Sequence, residues 1–147
     1  MILADADATA RLGRALADTL RPGDVIALFG DLGAGKTTFA RGLLRGLGFA
    51  GDVASPTFPI VQPYEPPDVR LPLWHVDLYR IENPAELDEL ALGEAREGAA
   101  LVIEWPERLD GRLWPDSLIL RLMVAERGAR ALTVEVPAAW EGRWPPR

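Results

Sequence analysis

A glycine-rich run directly after a short apolar segment constrains this chain more than any other feature. The segment Val25–Phe29 has the composition of a buried strand, and Gly30-Asp31-Leu32-Gly33-Ala34-Gly35-Lys36-Thr37-Thr38 follows it at once. The run fits the pattern G-x-x-x-x-G-K-[ST], and the residues from Phe39 to Leu44 are typical of a helix. A strand, such a loop and a helix in this order predict a P-loop, with a nucleoside triphosphate as its ligand.

Each residue type in the run has a physical reason to be there. Glycines let the backbone come close to a ligand and turn successive N–H groups into one concavity, and the helix that follows adds its positive end. Lys36 is expected to reach the β- and γ-phosphates, and the Thr37 hydroxyl is positioned to bind Mg²⁺. We predict that the phosphate-binding residues are Asp31, Gly33, Ala34, Gly35, Lys36, Thr37 and Thr38.

Lys36 is the only lysine among sixteen basic residues, and the other fifteen are arginines. A compact ammonium suits this position, whereas a rigid planar guanidinium does not. A guanine-reading N-K-x-D motif would need a second lysine, so a regulatory GTPase is disfavoured.

Composition narrows the class of protein further. With 147 residues the chain is expected to form one domain, 1–137, followed by a short tail, 138–147, that contains Trp140 and Trp144. The absence of cysteine and a single histidine argue against a zinc site, so the expected metal is Mg²⁺ brought with the nucleotide. The N-terminus lacks the features of a signal peptide, which predicts a cytoplasmic protein, and a net charge of −6 argues against a broad nucleic-acid surface.

Periodicity predicts the remaining elements of an α/β domain. An amphipathic helix is expected over 6–20, and Asn83-Pro84 is a good start for a helical region that runs toward Gly98. The predicted strands after the P-loop helix are 60–64, 73–79, 99–105, 118–124 and 131–136; a hairpin or a crossing loop joins the first two, and a hairpin joins the last two.

Two acidic residues at strand ends are candidates for the metal side of the site. Asp77 lies on the same predicted strand face as His75, in a setting that suggests a cleft, and Glu104 ends an apolar run as in a Walker B strand. A solvated strand end is the alternative for each. The segment 55–58, Ser-Pro-Thr-Phe, is either an ordinary turn or a switch-like loop near Mg²⁺, and His75 is more simply a structural residue than a catalytic one.

Taken in order, these motifs resemble the bacterial TsaE family, formerly called YjeE, over about residues 5–136. The matching segments are 22–24 (Pro-Gly-Asp), 30–39 with Arg41-Gly42, 55–58, 75–80 (His-Val-Asp-Leu-Tyr-Arg) and 103–109 (Ile-Glu-Trp-Pro-Glu-Arg-Leu). The resemblance implies a single-domain P-loop α/β fold with a mixed sheet flanked by helices. It also implies ATP and Mg²⁺ as ligands and TsaB and TsaD as protein partners. TsaD in that family transfers a threonylcarbamoyl group to adenosine 37 of tRNA, so tRNA is met only indirectly.

The resemblance also implies roles for individual residues. Lys36 and Thr37 match the phosphate and metal positions, and Thr38 supports the phosphate site. Asp77 and Glu104 match the two acids, and Trp105 stands beside the second acid at the nucleotide or partner surface. The remaining matches are Thr57 for the switch-like threonine of the metal site and Thr9 for a segment that closes over the base.

The sequence therefore predicts a partner-activated ATPase. Glu104, Lys36 and Asp77 are the expected catalytic residues, with Glu104 orienting the attacking water, and no arginine is evidently poised as a finger in cis. A small-molecule or nucleoside kinase is the first alternative. A nucleotide-sensing interaction module without essential turnover is the second.

Overall fold

Seven strands form one mixed sheet at the centre of the protein, and the computed structural model describes all residues 1–147. The strands are β1 (Ile2–Leu3), β2 (Val25–Phe29), β3 (Val61–Tyr64), β4 (Leu73–Asp77), β5 (Ala100–Glu104), β6 (Leu118–Val124) and β7 (Arg130–Glu135). The helices are α1 (Ala6–Ala17), α2 (Lys36–Gly46), α3 (Pro84–Leu90) and α4 (Leu92–Ala95). Three short 3-10 helices cover Pro106–Leu109, Glu126–Gly128 and Ala138–Trp140.

The strand order β1-β7-β6-β2-β5-β4-β3 places β2 at the middle of the sheet. Neighbours β4, β5, β2 and β6 are parallel, whereas β3 and β7 run antiparallel to their neighbours. The carboxyl ends of the four parallel strands therefore meet at one edge, which is where α/β sheets bind ligands. This architecture confirms the predicted α/β fold with a mixed sheet.

The two faces of the sheet carry separate apolar cores because side chains alternate along each strand. Leu73 and Val102 belong to the core under α1 and α2, while Val76, Leu101 and Ile103 belong to the core under α3 and α4. By the same alternation, His75, Asp77 and Glu104 lie on the α1 and α2 face of the sheet. The start of α2 and the two acids thus share one side of the molecule.

Helices α1 and α2 pack so closely that three glycines are required between them. A Cβ atom at Gly46 would lie 2.6 Å from the Arg14 carbonyl oxygen. A Cβ atom at Gly42 would lie 2.0 Å from the Ala10 carbonyl oxygen, and one at Gly13 would lie 2.3 Å from the Phe39 carbonyl oxygen. No side chain fits at these distances. The close contact between the two helices fixes the position of α1, whose N-terminal residues reach the edge of the sheet beside the P-loop.

Most predicted elements are found, and two differ. The predicted helical region up to Gly98 is broken at Ala91, which has a φ of 53° and separates α3 from α4. Strand β1 was not predicted, because two residues carry no periodicity and their pairing with Ala131 and Arg130 is long-range. The expected hairpin of β6 with β7 is present, and of the two connections left open between β3 and β4 the structure has the hairpin. None of the helices has the length and apolar character needed to span a bilayer.

The C-terminal segment packs against the domain through Trp140 and Arg143. Trp140 is fully buried in the core under α1 and α2, and the Arg143 guanidinium lies 4.0 Å from its ring centroid. Arg143 also donates hydrogen bonds of 2.7 and 2.9 Å to the two carboxylate oxygens of Asp24 and one of 2.9 Å to the Thr19 carbonyl oxygen. The segment thereby fastens the loop between α1 and β2.

Replacing Trp140 with alanine should lower the free energy of unfolding by about 3–5 kcal/mol, the range for removing a buried aromatic side chain. Trp140→Phe should lose much less, because a phenyl ring fills most of the space and the indole N–H has no hydrogen-bond partner to lose. Urea unfolding followed by circular dichroism measures both. A Trp140→Ala variant as stable as the original chain would show that the segment does not contribute to the fold.

Candidate functional site

The glycine-rich loop lies at the carboxyl end of β2 and leads directly into α2. Gly35 caps the helix with a φ of 108°, a conformation that side-chain-bearing residues rarely adopt. A Cβ atom there would lie 3.6 Å from the Thr9 methyl group and 3.9 Å from the Arg130 Nε atom. The loop is therefore held between the start of α1 and the start of β7, with the first turn of α2 facing the cleft.

Lys36 is almost fully buried at the start of α2. Its Nζ atom donates a hydrogen bond to the Gly30 carbonyl oxygen and lies 3.6 Å from the centroid of the Trp105 ring. Burial lowers the pKa of Lys36, against the opposing effect of nearby carboxylates, first among them Glu104. An anionic ligand in the cleft would replace the water that the ammonium has lost, so the site favours an anion beside this nitrogen.

Asp77 and Glu104 are neighbours across the pair of parallel strands β4 and β5. Thr37 Oγ1 donates to the Glu104 carboxylate, with distances of 3.2 and 3.3 Å to its two oxygens. Tyr79 donates its backbone N–H to Asp77 Oδ1 at 2.9 Å. Both carboxylates are nearly inaccessible to solvent, yet both line the cleft, so they are not merely solvated strand ends.

The loop between α2 and β3 brings two further hydroxyls to these acids. Ser55 Oγ donates to Asp77 Oδ2 and lies 3.3 Å from Glu104 Oε2, and Thr57 Oγ1 donates to Asp77 Oδ2 at 3.2 Å. Phe58 next to them is 82% exposed. Of the two interpretations of segment 55–58, the geometry favours a loop that belongs to the site.

His75 lies beneath the cleft and not in it. The side chain is fully buried, and its Nε2 atom is 2.6 Å from Glu104 Oε2, while Nδ1 has no partner. An ionised Glu104 can only accept a hydrogen bond, so Nε2 carries the proton in that case. The histidine therefore fixes the orientation of the Glu104 carboxylate, which agrees with the expectation that His75 is structural.

The cleft has a volume of about 320 Å³. Its lining includes Ala6, Thr9 and Arg130, together with Tyr79 and Trp105, whose rings lie 5.0 Å apart. The predicted site residues that line it are Thr9, Gly33, Gly35, Lys36, Thr37, Thr38, Thr57, Asp77 and Glu104. Asp31 and Ala34 do not line it: the Asp31 side chain is exposed, and Ala34 is buried behind the loop.

The oxygen atoms at the base of the cleft are the ligands that Mg²⁺ prefers. Hydroxyls and carboxylates converge there from Thr37, Ser55, Thr57, Asp77 and Glu104. No group of three or more His, Cys, Asp or Glu side chains is arranged to hold a metal ion. Mg²⁺ in nucleotide sites does not require one, because one or two carboxylates, waters and the phosphates complete its shell. The donor set fits this ion.

Arg130 is the residue of the cleft that the sequence did not reveal. It follows Lys36 by 94 positions in a chain with fifteen arginines, and no local pattern marks it. Its guanidinium reaches the P-loop because β7 starts at the same edge of the sheet. Arg41 and Arg80 do not line the cleft, and they donate hydrogen bonds to the carbonyl oxygens of Val53 and Phe58.

The sheet, the loop and the cleft together define a P-loop protein of the α/β class. The family model described as "Threonylcarbamoyl adenosine biosynthesis protein TsaE" matches residues 3–132. The chain therefore belongs to the TsaE family, as its motifs predicted, and proteins of this family are involved in tRNA threonylcarbamoyladenosine biosynthesis.

Relatives and a solved structure agree with this assignment. The tRNA threonylcarbamoyladenosine biosynthesis protein TsaE of Bacillus subtilis is 40% identical over 126 residues, covering 85% of this chain and 77% of the relative. The protein of the same name from Streptomyces coelicolor is 45% identical over 112 residues, covering 76% of each chain. The crystal structure of Bacillus subtilis YdiB superposes with a TM-score of 0.75 at 33% identity, covering 91% of this chain and 82% of that one.

Proposed function

We propose that this protein is an Mg²⁺-dependent ATPase that acts with partner proteins in the threonylcarbamoyl modification of adenosine 37 in tRNA. One observation carries the proposal: the lysine and threonine at the start of α2 face two nearly buried carboxylates across a single cleft. A cation for phosphate, oxygen ligands for a metal and a carboxylate able to orient water are the parts that nucleotide hydrolysis needs.

Each part has a distinct task. Lys36 and the loop amides bear the charge that develops on the γ-phosphate and the β–γ bridging oxygen. Glu104 orients the attacking water, and its own position is fixed by hydrogen bonds from His75 and Thr37. Thr37, Asp77, Thr57 and Glu104 are the residues that would hold Mg²⁺, which when bound neutralises phosphate charge.

The nucleoside is expected at the opposite end of the cleft from the carboxylates. Ala6 and Thr9, at the start of α1, line the cleft together with Arg130, and none of the three makes a hydrogen bond to Asp77 or Glu104. The Thr9 methyl group lies 3.6 Å from the position that a Cβ atom on Gly35 would take. The same residue can therefore contact both the base and the phosphate loop. We assign Thr9 to nucleotide contact on this basis.

The chain offers no free guanidinium for the transition state. Arg130 is the only arginine that lines the cleft, and it already donates to four main-chain carbonyl oxygens. The activating group is therefore expected from a partner, for which the TsaB and TsaD proteins of the same pathway are the candidates. tRNA is reached through that complex, in keeping with the net charge of −6.

The isolated protein should hydrolyse ATP slowly and be stimulated strongly by the assembled partners, since an arginine supplied in trans accelerates hydrolysis by about 10³–10⁵-fold. Phosphate release is measured with Mg²⁺, first alone and then with TsaB and TsaD. Turnover of tens per second by the isolated chain would contradict the proposal. Phosphorylation of a small acceptor in a substrate screen would favour a kinase instead.

A further inference from the structure

Arg130 joins the hairpin of β6 and β7 to the phosphate loop through its guanidinium. Nε donates to the Ala34 carbonyl oxygen and Nη2 to the Gly33 carbonyl oxygen, each at 2.9 Å. Nη1 donates to the carbonyl oxygens of Gly128 and Ala129, each at 3.0 Å. One planar group thus holds two loop carbonyls and two hairpin carbonyls at fixed distances, which a single ammonium cannot do.

The two loop carbonyls belong to consecutive peptide units, and this determines where the loop N–H groups point. A peptide unit is planar and trans, so its C=O and N–H point in opposite directions. Holding the Gly33 and Ala34 oxygens against Arg130 therefore directs the N–H groups of Ala34 and Gly35 away from the guanidinium. The Ala34 N–H meets the Asp31 carbonyl oxygen at 3.0 Å, which closes the turn, and the Gly35 N–H precedes the first turn of α2.

The surroundings of Gly35 show which residues lie against the loop. Gly35 has a φ of 108°, and the nearest atoms to a Cβ placed on it are the Thr9 methyl group and Arg130 Nε. Leu3 in β1 pairs with Arg130 in β7, so the backbone that carries the guanidinium is itself part of the sheet. The guanidinium that holds the phosphate loop is therefore attached to a strand of the rigid sheet and not to another loop.

We propose that Arg130 is a positioning residue that sets the orientation of the phosphate loop amides before nucleotide binds. The inference rests on the proposed nucleotide function, since a pre-set loop matters only if phosphate is the ligand. A loop fixed in advance binds phosphate without having to be ordered at the moment of binding. Arg130 acts through the loop and not by direct contact with the reacting atoms, because four of its donors are already engaged.

Hydrogen exchange of the nucleotide-free protein tests directly whether Arg130 orders the phosphate loop. In Arg130→Met, the Ala34 amide should exchange about tenfold faster or more, the effect expected for losing hydrogen bonds to a charged group. Amides in the middle of β2 should be unchanged. Arg121→Met is the matched control, because Arg121 lies on the same hairpin and is exposed. Its guanidinium donates to Glu135 and lies 4.3 Å from the Phe29 ring centroid, but it makes no hydrogen bond to the phosphate loop. A uniform rise across β2, or no change at Ala34, would overturn the proposal.

Nucleotide affinity provides the second readout. Calorimetry with Mg²⁺ and ADP should show about ten- to hundredfold weaker binding for Arg130→Met and unchanged binding for Arg121→Met. Arg130→Lys keeps the charge but not the planar fork of donors, so its nucleotide affinity should fall between those of the two methionine variants. It also provides the test if Arg130→Met fails to fold. Equal affinity of Arg130→Lys and the original chain would refute the positioning role. If the original chain binds no nucleotide, the proposed function fails, while the exchange comparison still decides whether Arg130 orders the loop.

Discussion

Replacing Lys36 with alanine should abolish measurable nucleotide binding. The ammonium is the cation in the first turn of α2. Each hydrogen bond between a charged donor and phosphate contributes about 1.5–3 kcal/mol, so losing its contacts to two phosphates should weaken binding by about two orders of magnitude or more. Calorimetry with ATP and Mg²⁺ measures the loss. Binding of Lys36→Ala within a few-fold of the original chain would rule out the phosphate role.

Lys36→Arg is the informative companion because it keeps the positive charge. A guanidinium presents its donors as a rigid planar fork and not as the compact ammonium that lies between the Gly30 carbonyl oxygen and the Trp105 ring. This variant should therefore misplace its donors at the phosphates and also fail in hydrolysis. Neither variant should melt more than a few degrees below the original chain without nucleotide. Burial lowers the pKa of Lys36, which means that the ionised side chain is not a net source of stability there. The loss is thus one of function and not of folding.

Glu104→Gln should retain ATP binding and lose hydrolysis by about 10²–10⁴-fold, the range for removing a group that positions or accepts a proton in the reaction. The glutamine amide has nearly the shape of the carboxylate, but it cannot orient the attacking water as the carboxylate does. It also changes the hydrogen bonds from His75 and Thr37, both of which donate to the carboxylate in the structure when it is ionised. Phosphate release in the presence of the partners and ATP affinity by calorimetry together give the result.

Glu107→Gln is the matched control for Glu104→Gln. Glu107 is an exposed carboxylate three residues further on, close enough to Lys36 to act on its pKa in the raising direction but outside the cleft lining. It should hydrolyse ATP at the original rate. If Glu104→Gln supports tRNA modification at the original level while binding ATP, the protein acts as a nucleotide sensor and the proposal of essential turnover is wrong.

The elements that were predicted well are those whose signal is local. The P-loop, the strand before it and the Asn83 cap each depend on residues within one short segment, and the structure has all three. Ala91 broke the predicted helix because a positive φ in a side-chain-bearing residue is imposed by packing and not by its own preference. The pairing of β1 with β7 was invisible for a similar reason, as it joins residues about 130 positions apart in sequence.

The candidate site likewise combines residues that local sequence signals predict with contacts that only the structure shows. Asp77 and Glu104 could be chosen from their places at strand ends, but only the register of β4 and β5 makes them neighbours. His75 could not be separated from a catalytic residue until its ring was found beneath Glu104. Segment 55–58 could not be separated from an ordinary turn until its two hydroxyls were found on the acids.

The sequence by itself determined the phosphate loop, the α/β class and the family, because glycine spacing, a single lysine and apolar periodicity are properties of short segments. Only the tertiary structure decided that Arg130 holds the loop by hydrogen bonds, that Trp140 is buried in the core and that Asp31 does not line the cleft. Those facts depend on contacts between residues far apart in the chain. The Arg130 guanidinium reaches its acceptors, and the Trp140 ring its buried position, only when the fold has brought distant segments of the chain together.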